Sequence, residues 1–245
     1  MKVSIITVCY NSEATIERTV RSVVNQTHRD IEYLVIDGGS EDMTLELLEP
    51  YRSRINCIVS EKDRGLYDAV NKGISLATGD LIGLLHADDW LADSEVVGDL
   101  VKKIENEGTD SVYADLQYVQ GDKVVRNWMS GDFSIEKFRR GWMPPHPTFY
   151  IKRSVLKEES SLYRTDFGTA ADYEFMLRML VKRKVSVCYL PRVLVKMQMG
   201  GLSNESLLVR LRANAMDARA WKVNGLKPFL FFRLFKPMRK LLQWA

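Results

Sequence analysis

The sequence predicts an α/β fold in which helices flank a mixed, mostly parallel central sheet, followed by a helical C-terminal tail. Two observations carry this prediction. Short apolar runs alternate with stretches of helical periodicity through about the first hundred residues, as strands joined by crossover helices do. Acidic residues follow the last of these apolar runs, and ligands bind at that carboxyl edge in open α/β sheets.

The first part of the chain contains four strand-like runs with helices between them. Asn11 or Ser12 can cap the first helix, and Gly38 and Gly39 lie in the turn that leads to the second. We predict strands at residues 3–9, 31–36, 56–60 and 81–85, and helices from residue 16, up to about residue 51, and at 66–77.

The second part of the chain has a less regular pattern, interrupted by a Gly- and Pro-rich segment at 141–147. We predict helices at 94–107 and 171–184, strands near 111–118, 123–128 and 185–190, and a mainly helical region from 205 with a break at 225–228.

Composition favours one globular domain in a reducing compartment. Hydrophobic residues make up 46% and charged residues 27% of the chain, which argues against long disordered tracts. The three cysteines have no short spacing, so neither a disulfide framework nor a structural zinc site is expected. No run resembles a signal peptide or reaches the roughly twenty apolar residues of a spanning helix, so we expect a cytoplasmic protein.

The C-terminal tail is basic, since no Asp or Glu follows Asp217. Such an end can contact nucleic acid or an anionic membrane, and the interleaved phenylalanines favour the membrane. The alternative is a tail that packs on its own domain or on a partner subunit. The seven tail cations are Arg219, Lys222, Lys227, Arg233, Lys236, Arg239 and Lys240.

The sharpest local signal is the acidic pair Asp88 and Asp89, directly after an apolar strand. Adjacent carboxylates repel each other unless a cation or hydrogen-bond donors compensate, and oxygen ligands suit Mg²⁺ or Mn²⁺. The alternative is that the pair caps a helix after Trp90. The turn at 37–40 either presents N–H groups to a phosphate or only connects strand to helix, and neither G-x-G-x-x-G nor a P-loop motif is present.

Three ordered blocks resemble the family 2 glycosyltransferases. They read SIITVCYNSE, then VIDGGSED, then SEKDRGLYDAVNKGISLATGDLIGLLHADD. Weaker similarity continues in HPTFY, TAADYEFMLR and GGLS, so the resemblance covers most of the chain. One block alone would be unspecific, whereas the ordered set is specific.

The resemblance implies a GT-A fold and an inverting transfer of one sugar, a hexose or N-acetylhexosamine, from a nucleotide diphosphate sugar to an acceptor hydroxyl. Its expected cofactor is Mg²⁺ or Mn²⁺, and its expected acceptor is a glycan or lipid-linked molecule of bacterial cell-surface polysaccharide or glycolipid synthesis. The Q-x-x-R-W signature of processive synthases is absent. We divide the chain into a GT-A domain at 1–203, with a donor half at 1–93 and an acceptor half at 94–203, and a tail at 204–245.

The same resemblance implies roles for residues of the donor half. Tyr10 would pack against the base, although a strand-end aromatic can also simply cover the core. Asp37 would reach the nucleoside or orient the pocket. The residues expected to bind the donor are Thr7, Tyr10, Asn11, Asp37, Asp68, His86 and Asp88, and those expected to bind the metal are Asp88 and Asp89.

Asp172 matches the position of the catalytic base in the family. Inverting transfer needs a carboxylate within hydrogen-bond reach of the acceptor hydroxyl, opposite the leaving diphosphate. The alternative is an acidic residue placed at a helix N-terminus for its favourable interaction with the macrodipole. Glu174 is a nearby rival base, but helical spacing points it away from Asp172.

The chain departs from the family pattern at several positions. Gly38 replaces a second acid that often contacts the base, and Val70 replaces a frequent arginine. Asp68 lines the pocket or faces solvent. His86 stands where an Asp or Asn is common, and it can contact the ribose, ligate the metal or close the strand.

Two further departures concern the acceptor half. Ala171 replaces a frequent Glu before the expected base. His146, in a Pro-flanked loop, either lines the acceptor site or packs as a structural imidazole.

Two rival functions remain open from sequence. One is a nucleotide-sugar-binding subunit that has lost catalysis, and the other is a nucleic-acid binder that acts through the basic tail. We expect no nucleic acid partner. We expect the tail to contact the inner face of the plasma membrane.

Overall fold

The computed structural model describes residues 1–121, 123–156, 162–199 and 207–227, with side chains of the last range described from 215 onward. Nine strands form one mixed sheet. The strands are β1 Val3–Cys9, β2 Ile31–Asp37, β3 Cys57–Ser60, β4 Leu81–Leu84, β5 Asp89–Leu91, β6 Ser111–Gln120, β7 Lys123–Trp128, β8 Tyr150–Lys152 and β9 Val187–Gln198.

Six helices accompany the sheet. They are α1 Ile16–Val24, α2 Leu66–Leu76, α3 Val96–Glu107, α4 Ile135–Arg139, α5 Ala171–Met176 and α6 Leu207–Val223. A π-helical turn, Leu177–Lys182, extends α5. Short 3₁₀ segments occupy Glu46–Arg54, His146–Thr148, Arg153–Leu156 and Thr165–Ala170.

The strand order β3-β2-β1-β4-β8-β6-β9-β5 creates a switch point between β1 and β4. The strands β3, β2, β1 and β4 are parallel, and successive connections run in one direction from β1 to β3 and then return to place β4 on the other side of β1. Loops leaving the carboxyl ends of β1 and β4 therefore diverge, and this edge of the sheet, called the crevice below, is where open α/β sheets generally bind ligands. This mixed architecture confirms the predicted fold class.

Alternate residues of β1 face two separate hydrophobic cores, one on each side of the sheet. Ile6 and Val8 belong to the core under α2, whereas Val3 and Ile5 belong to the core under α1 and α3. The helix α2 lies close to the sheet because Gly73 has no side chain, since a Cβ there would stand 2.5 Å from Cγ2 of Ile6. These layers hold the crevice in a fixed position.

Two local predictions were wrong. The segment expected to be an α-helix up to about residue 51 is the 3₁₀ segment Glu46–Arg54, in which Pro50 supplies no N–H for a helical hydrogen bond. The first helix has no side-chain cap; the carbonyl of Ser12 accepts the backbone N–H of Ile16 at 2.9 Å instead.

The acidic pair does not cap a helix, because Asp89–Leu91 form the short strand β5. This strand pairs antiparallel with β9, where Asp89 lies opposite Met197. The helix-cap alternative for the pair is therefore wrong. A three-residue strand formed with a partner a hundred residues away leaves no periodicity to detect.

The described part of the tail packs on the domain. Trp221 is fully buried, and its indole N–H donates to the hydroxyl of Tyr173 at 2.9 Å. Arg219 forms an ion pair with Asp166. The Phe-rich stretch expected to contact a membrane lies outside the described residues. Within the ranges that are described, no helix is both long enough and apolar enough to cross a bilayer.

Gly83 on β4 lies under the ring of Tyr150 on β8, and a Cβ at residue 83 would stand 2.0 Å from Cε1 of that ring. Because Tyr150 is fully buried, the ring cannot move outward. We expect Gly83→Ala to lower the free energy of unfolding by about 3 kcal/mol, measured by urea denaturation. The matched control is Gly98→Ala in α3, where no atom lies within 4 Å of the new methyl and where alanine favours the helix. Equal stability of both variants would contradict this packing.

Glu32 on β2 is bonded to the start of β1 and to the loop before β4, because its carboxylate accepts hydrogen bonds from Lys2, Ser4 and Thr78. Burial raises the pKa of Glu32, but these donors outweigh it and lower the pKa to about 2 from the usual 4.5. The stability that this carboxylate contributes is therefore complete above about pH 4.5 and is lost as the pH falls toward 2. We expect Glu32→Gln to be less stable than the parent at pH 7, and this difference should shrink toward pH 2 in thermal unfolding scans.

Candidate active site at the switch point of the sheet

Polar residues from three strands meet at the crevice between β1 and β4. Tyr10 and Asn11 follow β1, Asp37 ends β2, and Asp88 follows β4. The sequence predicted this convergence, because the carboxyl ends of parallel strands share one edge.

Asp37 organises the turn after β2. It is fully buried, and its carboxylate accepts the backbone N–H groups of Gly39 and Ser40 at 3.0 and 2.9 Å and the hydroxyl of Ser60 at 2.6 Å. Burial raises the pKa of Asp37, but the hydrogen bonds from Ser40 and Ser60 outweigh it and hold the pKa below its usual value. Of the two roles left open by the sequence, this geometry favours orientation of the pocket over contact with a nucleoside.

Asn11 joins the end of β1 to the same turn. Its backbone N–H donates to Oγ of Ser40 at 2.8 Å, and its side-chain oxygen accepts the N–H of Glu41 at 3.0 Å. The φ angle of Asn11 is 46°, a left-handed conformation that asparagine tolerates better than most residues. Asn11 is exposed but directed at the loop, so it holds the rim of the crevice in place.

Tyr10 and Thr7 differ in exposure. Tyr10 is 62% exposed, and its ring lies beside the backbone of Gly38. An exposed aromatic ring at a strand end does not cover the core, so the alternative structural role for Tyr10 is wrong. Thr7 is fully buried and accepts a hydrogen bond from the hydroxyl of Tyr33 at 3.0 Å. A donor contact by Thr7 stays a prediction, because its side chain has no exposed surface.

The two acidic residues after β4 lie in different environments. Asp88 is half-buried, and within the described residues its carboxylate has no hydrogen-bond or ion-pair partner. Asp89 is fully buried, and neither of its carboxylate oxygens is hydrogen-bonded to a described group. Burial raises the pKa of Asp89 well above its usual value, the charge of Asp88 adds to this effect, and Arg18 opposes it.

These carboxylates fit a divalent cation of the Mg²⁺ or Mn²⁺ type. Such ions prefer oxygen ligands and are commonly held by one or two carboxylates together with substrate phosphates. The described residues contain no group of three or more His, Cys, Asp or Glu that would form a complete protein cage. Asp88 is the better candidate ligand because it is only half-buried, whereas Asp89 has no exposed surface.

Two histidines, His86 just before the acidic pair and His146 from the Pro-flanked loop, lie close together. The rings of His86 and His146 are 5.9 Å apart between centroids. Burial lowers the pKa of His86 against the opposing effect of Asp88, and burial together with His86 lowers the pKa of His146 to about 3. His146 is buried, and its Nε2 lies 2.8 Å from the hydroxyl of Tyr163. This packing favours the structural alternative for His146.

Asp172 begins helix α5, as the sequence predicted. It is half-buried, and its carboxylate accepts the backbone N–H of Tyr173 at 2.6 Å. Burial raises the pKa of Tyr67 and of Tyr163 well above the usual value, and the charge of Asp172 adds to both. Asp172 therefore lies within electrostatic range of the tyrosine that contacts His146.

His86, His146 and Tyr163 form a row of neighbouring side chains between the two acidic residues. The charge of Asp88 acts on the pKa of His86 at one end of this row, and the charge of Asp172 acts on the pKa of Tyr163 at the other. The structure brings the expected metal ligand and the expected base to one region of the molecule.

Glu174 does not compete with Asp172. Its side chain is fully buried and forms an ion pair with Arg178, with Nε 2.9 Å from Oε1 and the second guanidinium nitrogen 3.0 Å from Oε2. Asn224 donates to the same carboxylate at 3.1 Å. A buried, paired carboxylate cannot reach an acceptor hydroxyl.

Asp68 lies at the start of α2 and forms an ion pair with Arg64 at 3.0 Å. Hydrogen bonds from Arg64 lower the pKa of Asp68 below its usual value. Since the Arg64 side chain is 90% exposed, this pair faces solvent, and a donor contact by Asp68 stays a prediction.

Comparison with known proteins decides the family. Residues 4–171 match the model of the group described as glycosyl transferase family 2. The chain belongs to glycosyl transferase family 2. The matched range contains the crevice, the acidic pair and the histidine cluster, and it ends one residue before Asp172.

Relatives of this family 2 chain agree with the assignment, and a solved structure of low sequence identity agrees with the fold. An uncharacterized glycosyltransferase of Mycobacterium tuberculosis is 37% identical over 180 residues, covering 72% of this chain and 68% of that one. A PGL/p-HBAD biosynthesis glycosyltransferase of Mycobacterium bovis is 29% identical over 212 residues, covering 82% and 78%. The crystal structure of glucosyl-3-phosphoglycerate synthase from M. tuberculosis, in complex with Mn²⁺, UDP-glucose and phosphoglyceric acid, has a TM-score of 0.64 at 18% identity, covering 93% and 81%.

Several residues of the candidate site were not predicted from sequence. Ser40 lies three residues after Asp37, and this spacing of Asp and Ser is a detectable turn signal. Ser60 and Tyr163 had no comparable signal, because their contacts join segments that are distant along the chain.

Proposed function

We propose that this protein transfers one sugar from a nucleotide diphosphate sugar to an acceptor hydroxyl with inversion at the anomeric carbon. The observation that carries the proposal is the placement of Asp88 and Asp172 at the two ends of the row formed by His86, His146 and Tyr163. Inverting transfer uses a base within reach of the acceptor hydroxyl, and a carboxylate that holds a cation at the diphosphate would assist departure of the leaving group.

The donor would bind in the crevice between β1 and β4. The exposed ring of Tyr10 offers a surface on which a base can stack, and Asp37 holds the turn beneath it. Asn11 fixes the rim of the same crevice. Residues 1–93 would therefore supply the donor half of the domain.

Asp88, with Asp89 behind it, would hold Mg²⁺ or Mn²⁺ against the diphosphate. The bound cation would neutralise charge on the departing nucleoside diphosphate. The half-buried carboxylate of Asp88, which has no hydrogen-bond or ion-pair partner among the described residues, supports this role, and Asp89 adds an acidic group directly beside it. His86 would orient the donor from beside the acidic pair.

Asp172 would accept the proton of the acceptor hydroxyl as the oxygen attacks the anomeric carbon. Because Glu174 forms a buried ion pair with Arg178, Asp172 is the carboxylate of this turn that would act as the base. Residues 94–203 would bind the acceptor. Their wall near the base includes Tyr163, whose position is set by His146 and by stacking on Phe175 at 4.0 Å between ring centroids.

The acceptor would be a glycan or lipid-linked molecule of bacterial cell-surface synthesis, and the sugar a hexose or N-acetylhexosamine. The name of the M. bovis relative, which refers to PGL biosynthesis, supports a glycolipid acceptor. We place the reaction in the cytoplasm, with residues 204–245 continuing toward the inner face of the plasma membrane. The net charge of +3 is compatible with contact to anionic lipid through that end.

A thermal-shift panel of UDP-, GDP-, CMP- and dTDP-sugars, each with and without Mn²⁺, tests the function. A ligand that binds only the native state raises the apparent melting temperature by mass action. We expect a shift with one base class that depends on Mn²⁺, followed by release of nucleoside diphosphate when an acceptor is added. Donor binding without hydrolysis or transfer to any acceptor would instead favour a non-catalytic nucleotide-sugar-binding subunit.

A further inference from the structure

We propose that Asp63 recognises the base of the donor, and that it selects bases with a ring N–H, namely uracil, thymine or guanine, over cytosine. This inference rests on the proposed function, because it assumes that a nucleoside diphosphate enters the crevice beside Tyr10. It adds a specificity residue that lies outside the residues expected from the family pattern.

The first observation is an unsatisfied buried acceptor. The Asp63 side chain is 7% exposed. One carboxylate oxygen accepts from Nζ of Lys72 at 2.6 Å, whereas Oδ2 is buried and has no hydrogen-bond partner in the part of the chain that the structure describes. A buried acceptor without a donor is unfavourable, so a ligand that brings an N–H to Oδ2 would gain an interaction that the free protein lacks.

The second observation is the location of this oxygen. A Cβ built on Gly38 would lie 3.5 Å from Oδ2 of Asp63 and 3.4 Å from Cδ2 of Tyr10. The carboxylate and the exposed ring therefore border the same small gap, which a side chain at residue 38 would fill. Gly38 leaves this gap open at the carboxyl end of β2.

The chemistry of the gap fits the edge of a base. A flat ring stacked on Tyr10 would direct its hydrogen-bonding edge across Gly38 toward Asp63. Uracil, thymine and guanine carry a ring N–H that donates to a carboxylate. Cytosine carries a lone pair at the corresponding ring nitrogen, which a carboxylate repels. The carboxylate of Asp63 would thus favour donors whose base carries a hydrogen on the ring nitrogen that faces it.

The test measures binding of UDP, dTDP, GDP and CDP by isothermal titration calorimetry in the presence of Mn²⁺. We expect at least one ring N–H nucleotide to bind the parent more tightly than CDP. In Asp63→Asn the affinity for that nucleotide should fall about tenfold to a hundredfold, while the affinity for CDP should stay equal or rise, because an amide can donate to cytosine.

Lys72→Met is the matched control, because it removes the ion pair but keeps the carboxylate. This variant should still bind the ring N–H nucleotide more tightly than CDP. A second variant, Gly38→Asp combined with Asp63→Gly, moves the carboxylate across the gap and should restore part of that preference.

The proposal would be overturned if Asp63→Asn lowered the affinity for all four nucleotides equally, or if Lys72→Met lowered these affinities in the same way as Asp63→Asn. Either result would leave only a structural ion pair. An unchanged preference in Asp63→Asn would also overturn it, while the proposed transferase function would stand. If no nucleoside diphosphate binds the parent protein, both proposals fail.

Discussion

Replacing Asp172 with Asn should lower the transfer rate about 10²- to 10⁴-fold while leaving the dissociation constant of the donor unchanged. The amide has nearly the same shape but cannot take a proton from the acceptor hydroxyl. Because Asp172 belongs to helix α5 and not to the crevice between β1 and β4, the donor should still bind. The rate is measured by release of nucleoside diphosphate, and the donor affinity by calorimetry.

Asp166→Asn is the control for this prediction. Asp166 is an exposed carboxylate just before α5 that pairs with Arg219, so its loss changes the charge of the same region without touching the base. Its transfer rate should stay within a few fold of the parent. A fully active Asp172→Asn protein would show that another group accepts the proton.

Asp88→Asn should abolish the effect of Mn²⁺ on donor binding. The crevice would lose a carboxylate that is a candidate metal ligand, and a divalent ion held there would contribute several kcal/mol to stabilisation of the leaving group. We therefore expect donor affinity in Asp88→Asn to equal that of the parent measured without metal, and transfer to fall below detection. Calorimetric titration with Mn²⁺ and UDP together measures this difference.

Asp89→Asn separates the two members of the acidic pair. Asp89 lies on β5 with no exposed surface, so the isosteric amide should weaken Mn²⁺ binding much less than Asp88→Asn does. Asp93→Asn, on the exposed side of the same segment and paired with Arg192, controls for charge alone. Equal loss of metal binding in Asp88→Asn and Asp89→Asn would show that both carboxylates coordinate the ion.

Sequence patterns predicted the frame of the site because they depend on local periodicity. The runs that became β1, β2 and β4 are apolar and are each followed by turn residues, so their carboxyl ends and the residues after them could be located. The family motifs then pointed to Asp88 and Asp172. Both lie where these motifs predicted, one after β4 and one at the start of α5.

The side-chain roles could not be predicted because they depend on contacts between distant segments. The carboxylate of Asp37 accepts a hydrogen bond from the hydroxyl of Ser60, which lies 23 residues away along the chain. This contact assigns the carboxylate oxygens to stabilising the turn. The burial of His146 depends on Tyr163, and the exclusion of Glu174 depends on Arg178 and Asn224. None of these partners could be identified from spacing alone.

Hydrogen bonds from Trp221 of α6 and from Asn224, the residue after that helix, reach the turn of α5 that carries Asp172. Trp221 donates a hydrogen bond to Tyr173, and Asn224 donates one to Glu174; these acceptors are the first and second residues after Asp172. Under the proposed mechanism, these contacts hold the turn that carries Asp172 in position. Removal of the chain from residue 207 onward should therefore slow transfer more than it weakens donor binding.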